Sequence, residues 1–533
     1  MTSSVASALK ERTESAQETQ EETTVMTARR PGRRAVMVSA VLTQLMIVLD
    51  LTIIAIALPR MQDDLGMTVS QSPWTVTGYS LAFGGLVLFG GRLCAVVGIR
   101  RSYQVGLIGF GVASLAAGMA TSFPILLVAR VAQGCFGALL APTSQSLLNV
   151  TFTERTERER VFAIFGATGG LGAAVGLLVG GALTDWISWR WALYINILLA
   201  TAALLIGQRS LPPADQRDRG SRITDDLTGL VLGCGACFSA VYGLDRAQQT
   251  SWTSTSTVSW LALGGIAAVL FVVRERFANR PVLPLSMMAL PVRAASYATQ
   301  FIAGAGQMGA IIYLTYYMQN HFGYSPFKSG VVFLPMVLAL IATAIPAGRV
   351  IVPRLGARGT LPLGLAVLTG SFLIFSRMTT QSSYSQVALP GLIVFGIGLG
   401  LTMPVTFNSG TRGVDAKRTG LASAILSAAQ QIGGSFGVAL MTSYATQHAE
   451  DYVAEHSEEV RAAAMEAMIR AQALPQSPAG KQIIEALKTQ LVDRAQIEAY
   501  AGGFTMMAWI LAGAGAALVA CGIAVSVRRR RTR

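Results

Sequence analysis

One carboxylate of this 533-residue chain lies deep inside an apolar run: Asp50, within Met37–Leu58. A charged side chain at mid-membrane depth costs about 3 kcal/mol on insertion scales, so it persists where it binds or moves something. Asp50 stands nine residues before Pro59, where its run ends, and so about 13 Å below that end at 1.5 Å per residue. Arg130 stands six residues after Pro124, where another run begins, at a depth of roughly 9 Å. Opposite charges at similar height pair or line a wet cavity. This predicts that the first and fourth apolar stretches are neighbours and that Asp50 and Arg130 face the same cavity. A buried carboxylate beside a guanidinium is a natural proton-binding switch. The plainer alternative is a static ion pair that orients two helices.

The elements that must position these residues are membrane helices. Hydrophobic residues make up 52% of the chain and charged residues 13%, about half the share of a soluble domain. About 20 apolar residues cross the hydrocarbon layer as a helix. Fourteen stretches read as spans: 36–58, 74–97, 103–122, 124–147, 161–183, 190–208, 227–245, 258–274, 294–318, 330–352, 359–377, 386–408, 421–443 and 503–527. Glycine, at 55 residues, suits close helix packing in lipid. The expected class is an all-α polytopic membrane protein.

The formal charge of +14 does not point to nucleic acid, because the basic residues concentrate in alternate loops. They include Arg29, Arg30, Arg33 and Arg34, then Arg100 and Arg101, then Arg155, Arg158 and Arg160, and finally Arg528–Arg531. This positive-inside pattern puts both termini in the cytoplasm of a cell-membrane protein. Residues 1–28 are polar, so no cleavable signal is expected. The Arg29–Arg34 cluster reads as an anchor for the first span rather than a twin-arginine export signal. Cys234-x-x-Cys237 has redox or metal spacing but sits in a GCGAC run, where small packing residues are the simpler reading. Neither a metal cluster nor a nucleophile–base set is apparent, so no enzyme and no cofactor is expected.

Residues 1–35 read as a disordered tail, 36–208 as a six-helix half, and 209–226 as a cytoplasmic linker. Residues 227–293 hold an extra helix pair, 294–527 a second six-helix half, and 528–533 a basic tail. Gly91-Arg92…Gly98-Ile99-Arg100 is echoed by Gly348-Arg349…Gly356-Ala357-Arg358, which suggests internal duplication with a substrate site between halves. The external segment 445–500 reads as short amphipathic helices. Polar candidates for a substrate cavity are Gln44, Thr52, Gln133, Asn196, Gln307, Tyr313, Tyr317, Asn408, Gln430 and Gln431, with Met46, Met308, Met318 and Met403 as adaptable contacts.

Leu49-Asp50-Leu51-Thr52-Ile53-Ile54-Ala55-Ile56-Ala57-Leu58-Pro59 resembles the first-helix signature of the fourteen-span drug:proton antiporters of the major facilitator superfamily, which usually carry Asn at the place of Ala55. Leu127–Gly134 is similar to the family's fourth-helix motif, whose Arg is linked to proton transfer. Trp189-Arg190-Trp191, Tyr316–Gln319 through Pro326, and Gln430–Gly434 match further segments, so the resemblance covers 36–527. It implies two six-helix halves plus two central helices, a monomer in the bilayer, and export of a hydrophobic small molecule in exchange for protons. A facilitator or importer of the same fold, or a transport-dead sensor, are the alternatives.

Two departures stand out. The gate loop Gly91…Gly98-Ile99-Arg100-Arg101 keeps its glycines and distal arginines but has Ala95 and Val96 where the family has an acidic and a basic residue. Gly172, Gly176, Gly180 and Gly181 keep the fifth-helix packing ridge, while Leu177 replaces its proline. Asp226, Asp245 and Glu275 fall at span ends. With no second deep carboxylate, the substrate is expected to be neutral or aromatic rather than polycationic.

Overall fold

A computed structural model describes residues 32–68, 71, 74–211, 227–278, 283, 288, 290–414, 419–470 and 478–531. All regular structure in them is helical: α1 Arg33–Leu65, α2 Trp74–Val97, α3 Ile99–Gly118, α4 Phe123–Thr151, α5 Arg155–Trp186, α6 Trp189–Gly207, α7 Leu227–Gln249 and α8 Thr255–Phe277. Then follow α9 Pro291–Tyr316, α10 Pro326–Val332, α11 Leu334–Pro346, α12 Val352–Phe375, α13 Leu389–Thr411, α14 Thr419–Arg470 and α15 Pro478–Arg531. The N-terminal tail to residue 31, most of the linker and residues 532–533 lie outside the described residues.

The helix ends follow local chemistry. Gly66 closes α1 in the left-handed conformation, at φ 59°. Ser188 and Ser254 cap α6 and α8 by accepting from the Arg190 and Thr257 amides. Large apolar side chains such as Val112, Val128, Leu198 and Leu338 are more than 60% exposed, which suits a surface that faces lipid. Ten stretches are long and apolar enough to cross a membrane, among the described residues. One of them, Phe327–Phe375, runs through two predicted spans, and α3, α5 and α9 are not in that set.

The packing repeats. In the first six helices α1 packs on α5 and α6, α2 on α4, and α3 on α4 and α6. In the second set α9 packs on α14 and α15, α11 on α13, and α12 on α13 and α15, which is the same pattern. Between the sets, α2 meets α14 and α5 meets α10 and α11. The paired glycines of the sequence echo share a role: Gly98 (φ 97°) breaks the backbone between α2 and α3, and Gly356 (φ 66°) kinks it near the start of α12, at angles that other residues rarely adopt. The extra pair fills one seam, with α7 lying against α2 and α14 and α8 behind α7.

The segment 445–500 differs from expectation. Among its described residues, 445–470 and 478–500, short helices do not form; they belong to α14 and α15, continuous rods of 52 and 54 residues. Residues 445–470 contain no Gly or Pro, so nothing breaks the α14 ladder there. Its Met465 and Ile469 point outward, at 66% and 75% exposure.

Candidate functional site

Asp50 and Arg130 are in direct contact. Arg130 Nη1 donates to Asp50 Oδ2 at 2.6 Å, and both side chains are fully buried. The other carboxylate oxygen, Oδ1, accepts from Asn196 Nδ2 at 2.6 Å and Gln133 Nε2 at 3.3 Å. Arg130 is held further by its Nε–H to the Thr75 carbonyl (3.0 Å) and by Nη1 to Gln133 Oε1 (2.9 Å), and its guanidinium lies 4.6 Å from the Tyr79 ring centre. Gln133 Nε2 also reaches Ser114 Oγ at 2.7 Å. Helices α1, α2, α3, α4 and α6 therefore all contribute to one charged knot. Arg130 Nη2, Asn196 Oδ1 and Tyr79 Oη have no hydrogen-bond partner among the described residues, which leaves the knot unsatisfied at its edge.

The knot does not line the cavity between the two helix sets, although depth alone led to the expectation that Asp50 and Arg130 face a common cavity. A cavity of about 320 Å³ lies where α1, α2, α7, α9 and α14 converge. On α1 its wall is the stripe Gln44, Ile47, Val48 and Leu51, and on α14 it is Ser427, Gln430, Gln431, Gly434, Ser435 and Val438. Asp50 sits about a third of a turn off the α1 stripe and points to α4 and α6. Tyr79 joins the two places: it lines the cavity and carries Arg130 on its ring.

The predicted cavity residues divide sharply. Gln44, Gln430, Gln431 and Met308 line the wall. Gln133 and Asn196 serve Asp50 instead. Thr52 turns its hydroxyl onto the Leu49 carbonyl at 3.0 Å. Tyr313 bonds Thr442 (3.0 Å) and Tyr317 bonds the Thr379 carbonyl (3.3 Å) inside the second core, where Met318 and Met403 are also buried. Met46 belongs to a core cluster of the first six helices, and Gln307 is buried off the cavity wall. Asn408 accepts from Arg158 Nε at 3.0 Å and is not among the cavity-lining residues. The sequence reading missed Thr77, Tyr79, Ser80, Gln145, Asp245 and Ser427. The helical spacing Val76, Tyr79, Ser80, Phe83 was the available signal for α2; nothing comparable marked Asp245.

At the basic-loop end the two sets are fastened together. Gln145 Nε2 meets Ser427 Oγ (3.2 Å), Thr411 Oγ1 meets Asn149 Oδ1 (3.2 Å), and Phe165 packs edge-on to Phe407. A Cβ on Gly91 would stand 3.1 Å from the Gly420 carbonyl, so backbone proximity closes α2 against α14 beside Ala95. Arg100 Nη2 donates to the Gln208 carbonyl at 3.2 Å, and Arg101 is exposed. Gly172, Gly176 and Gly180 lie on α1 against Val48, Thr52 and Ile53, and Gly181 is buried.

At the opposite end Arg190 pairs with Asp64 and lies over the Trp189 ring at 4.4 Å; Trp189 Nε1 donates to the same carboxylate at 3.0 Å. The Arg190 and Trp189 hydrogen bonds lower the Asp64 pKa from its ordinary 3.8. A lowered carboxylate pKa adds stability above the ordinary value, and that stability is lost as pH falls through the lowered one. Asp64→Asn is expected to remove this acid-side dependence, flattening the fall of Tm with pH below about pH 5 by roughly 1–2 °C, a small effect because the pair is exposed. Identical pH profiles for variant and wild type would contradict it.

Residues 40–438 match the sequence profile of the Major Facilitator Superfamily. The chain belongs to this superfamily. It is therefore a multi-pass membrane transporter. It is similar to the puromycin resistance protein of Streptomyces alboniger, with 40% identity over 78% of this chain and 82% of that one. The cephamycin export protein of Amycolatopsis lactamdurans is 33% identical over 76% and 83% of the two chains. The tetracenomycin C resistance and export protein of Streptomyces glaucescens is 32% identical over 74% and 73%. Among solved structures, the human organic anion transporter TETRAN aligns with a TM-score of 0.56 over 90% of this chain and all of that one, at 13% identity, a likeness of fold.

Proposed function

We propose that the chain exports a hydrophobic or amphipathic small molecule, of the antibiotic or drug class, across the cell membrane in exchange for protons. It works as a fourteen-span monomer with both termini cytoplasmic and needs no cofactor beyond the proton gradient. The observation that carries the reading is the buried Asp50–Arg130 contact, placed directly behind Tyr79 on the cavity wall. Protonating Asp50 removes the charge that holds Arg130, Asn196 and Gln133, and the released guanidinium pulls on α2 through Thr75 and Tyr79. Proton occupancy and cavity shape are thereby linked. The relatives' names supply the direction and the substrate class.

The test is transport in inverted vesicles with an imposed proton gradient, scored against a panel of antibiotics. Gradient-dependent accumulation inside the vesicles is expected; gradient-independent equilibration would favour a facilitator, and movement the other way an importer. Alternating access makes a second demand. The contacts at the basic-loop end must part in each cycle, so an Asn149→Cys/Thr411→Cys pair is expected to stop export when oxidised and to recover it on reduction. Undiminished export by the cross-linked protein would exclude the mechanism.

A further inference from the structure

We infer that Asp245 is a recognition site for a positively charged group, so that the compounds handled by the cavity include amphipathic organic cations. This rests on the export reading above and adds a substrate class to it. Asp245 is the one Asp, Glu, Lys or Arg among the residues that line the cavity. The fully buried acid nearby, Asp50, is already matched by Arg130, whereas Asp245 is half-buried.

The carboxylate is oriented without being neutralised. Its Oδ1 accepts from Thr77 Oγ1 at 3.0 Å and its Oδ2 from Gln249 Nε2 at 2.7 Å, both uncharged donors. No Lys or Arg forms a salt bridge with it among the described residues. Arg246, its neighbour in sequence, attracts it from a distance but forms no salt bridge with it; its Nε and Nη2 rest on the Tyr242 hydroxyl at 3.1 and 2.7 Å. A carboxylate beside apolar walls, here Val241, Ile47 and Phe83, attracts a cation more strongly than it would in water. The apolar body of an amphipathic cation then lies against those walls while its charge meets Asp245.

The placement also gives the extra helix pair a purpose. The two six-helix sets contribute Gln, Ser, Thr, Tyr and apolar side chains to the cavity, and α7, wedged between α2 and α14, brings the charge.

Binding of tetraphenylphosphonium, a lipophilic cation, and of triphenylphosphine oxide, a neutral compound of similar shape, to the purified full chain tests the inference. Wild type is expected to prefer the cation. D245N should weaken cation binding by about tenfold and leave the neutral compound unchanged, while D245E keeps most of the preference. In wild type, tetraphenylphosphonium but not triphenylphosphine oxide should protect Asp245 from carbodiimide labelling, a measurement that needs no variant to fold. No cation preference in wild type, no protection, or equal loss of both compounds in a folded D245N would overturn the inference. Asp245-dependent cation binding without export of any compound would retain it and sink the export reading. Export of neutral compounds with cation binding indifferent to Asp245 would do the reverse.

Discussion

Asp50→Asn is expected to abolish proton-coupled export, by a factor of about 100 or more, while a large share of the protein still reaches the membrane. The reason lies in what the carboxylate holds. Three donors from α4 and α6 converge on it, and Arg130 has no exposure to solvent. Removing one partner of a buried ion pair typically costs about 3–5 kcal/mol, because the other charge is left uncompensated. An Asn at this place still offers one acceptor oxygen, so the loss of stability should fall toward the lower end. Export suffers far more, because an amide cannot exchange the proton. The double variant Asp50→Asn/Arg130→Gln separates the two effects: its thermal stability should return toward wild type while transport stays absent. Substrate-driven proton release, followed with a pH dye in vesicles, is the readout. A double variant that regained coupled export would reduce the pair to a structural clasp.

Replacing Gly437 with Ala should disrupt the fold more than the same change at Gly176, although both sit on glycine-rich packing faces. A Cβ on Gly437 would overlap the Ala305 carbonyl oxygen, with the Ala305 Cα 2.6 Å away. One turn earlier, a Cβ on Gly433 would overlap the Phe301 carbonyl, with its Cα at 2.9 Å. Backbone atoms cannot rotate aside, so α14 would have to lift off α9 along its length. Each substitution should cost about 1–3 kcal/mol, and Gly433→Ala/Gly437→Ala together should leave little folded protein. At Gly176 the first obstacle is the Thr52 hydroxyl, a side chain able to change rotamer. Thermal unfolding of the detergent-solubilised variants measures the order, and Gly176→Ala melting below Gly437→Ala would reverse the assignment. The glycine motif that stands out in the sequence meets a side chain first, whereas in the α9–α14 seam backbone meets backbone.

The same contrast between pattern and packing runs through the site. Asp50 and Arg130 were legible as a pair because each is a rare charge at a computable depth, and depth follows from counting residues along a helix. Gln44 and Gln430 were found as polar residues within spans. The identical argument misplaced Tyr313, Tyr317 and Thr52, since polarity within a span does not say which neighbour the side chain meets. Gln133 and Asn196, whose polarity within spans suggests substrate contacts, lie instead around Asp50. The amphipathic patterning of segment 445–500, with Met465, Met468 and Ile469, suggests short helices, whereas its Ala, Glu and Gln content extends α14 to Arg470 and α15 from Pro478.

By itself the sequence determined the membrane class, the all-helical architecture and the opposite charges of Asp50 and Arg130. Apolar length and charge position are one-dimensional properties, read along a single helix. The tertiary structure decided which way each helix is turned about its own axis and which distant helix lies against it. That rotation put Asp50 behind the cavity wall and not on it. The seating of α7 between α2 and α14 made Asp245, a residue at a helix end, the charged group of the cavity. Both outcomes depend on packing between segments roughly 80 to 190 residues apart, and no local pattern encodes them.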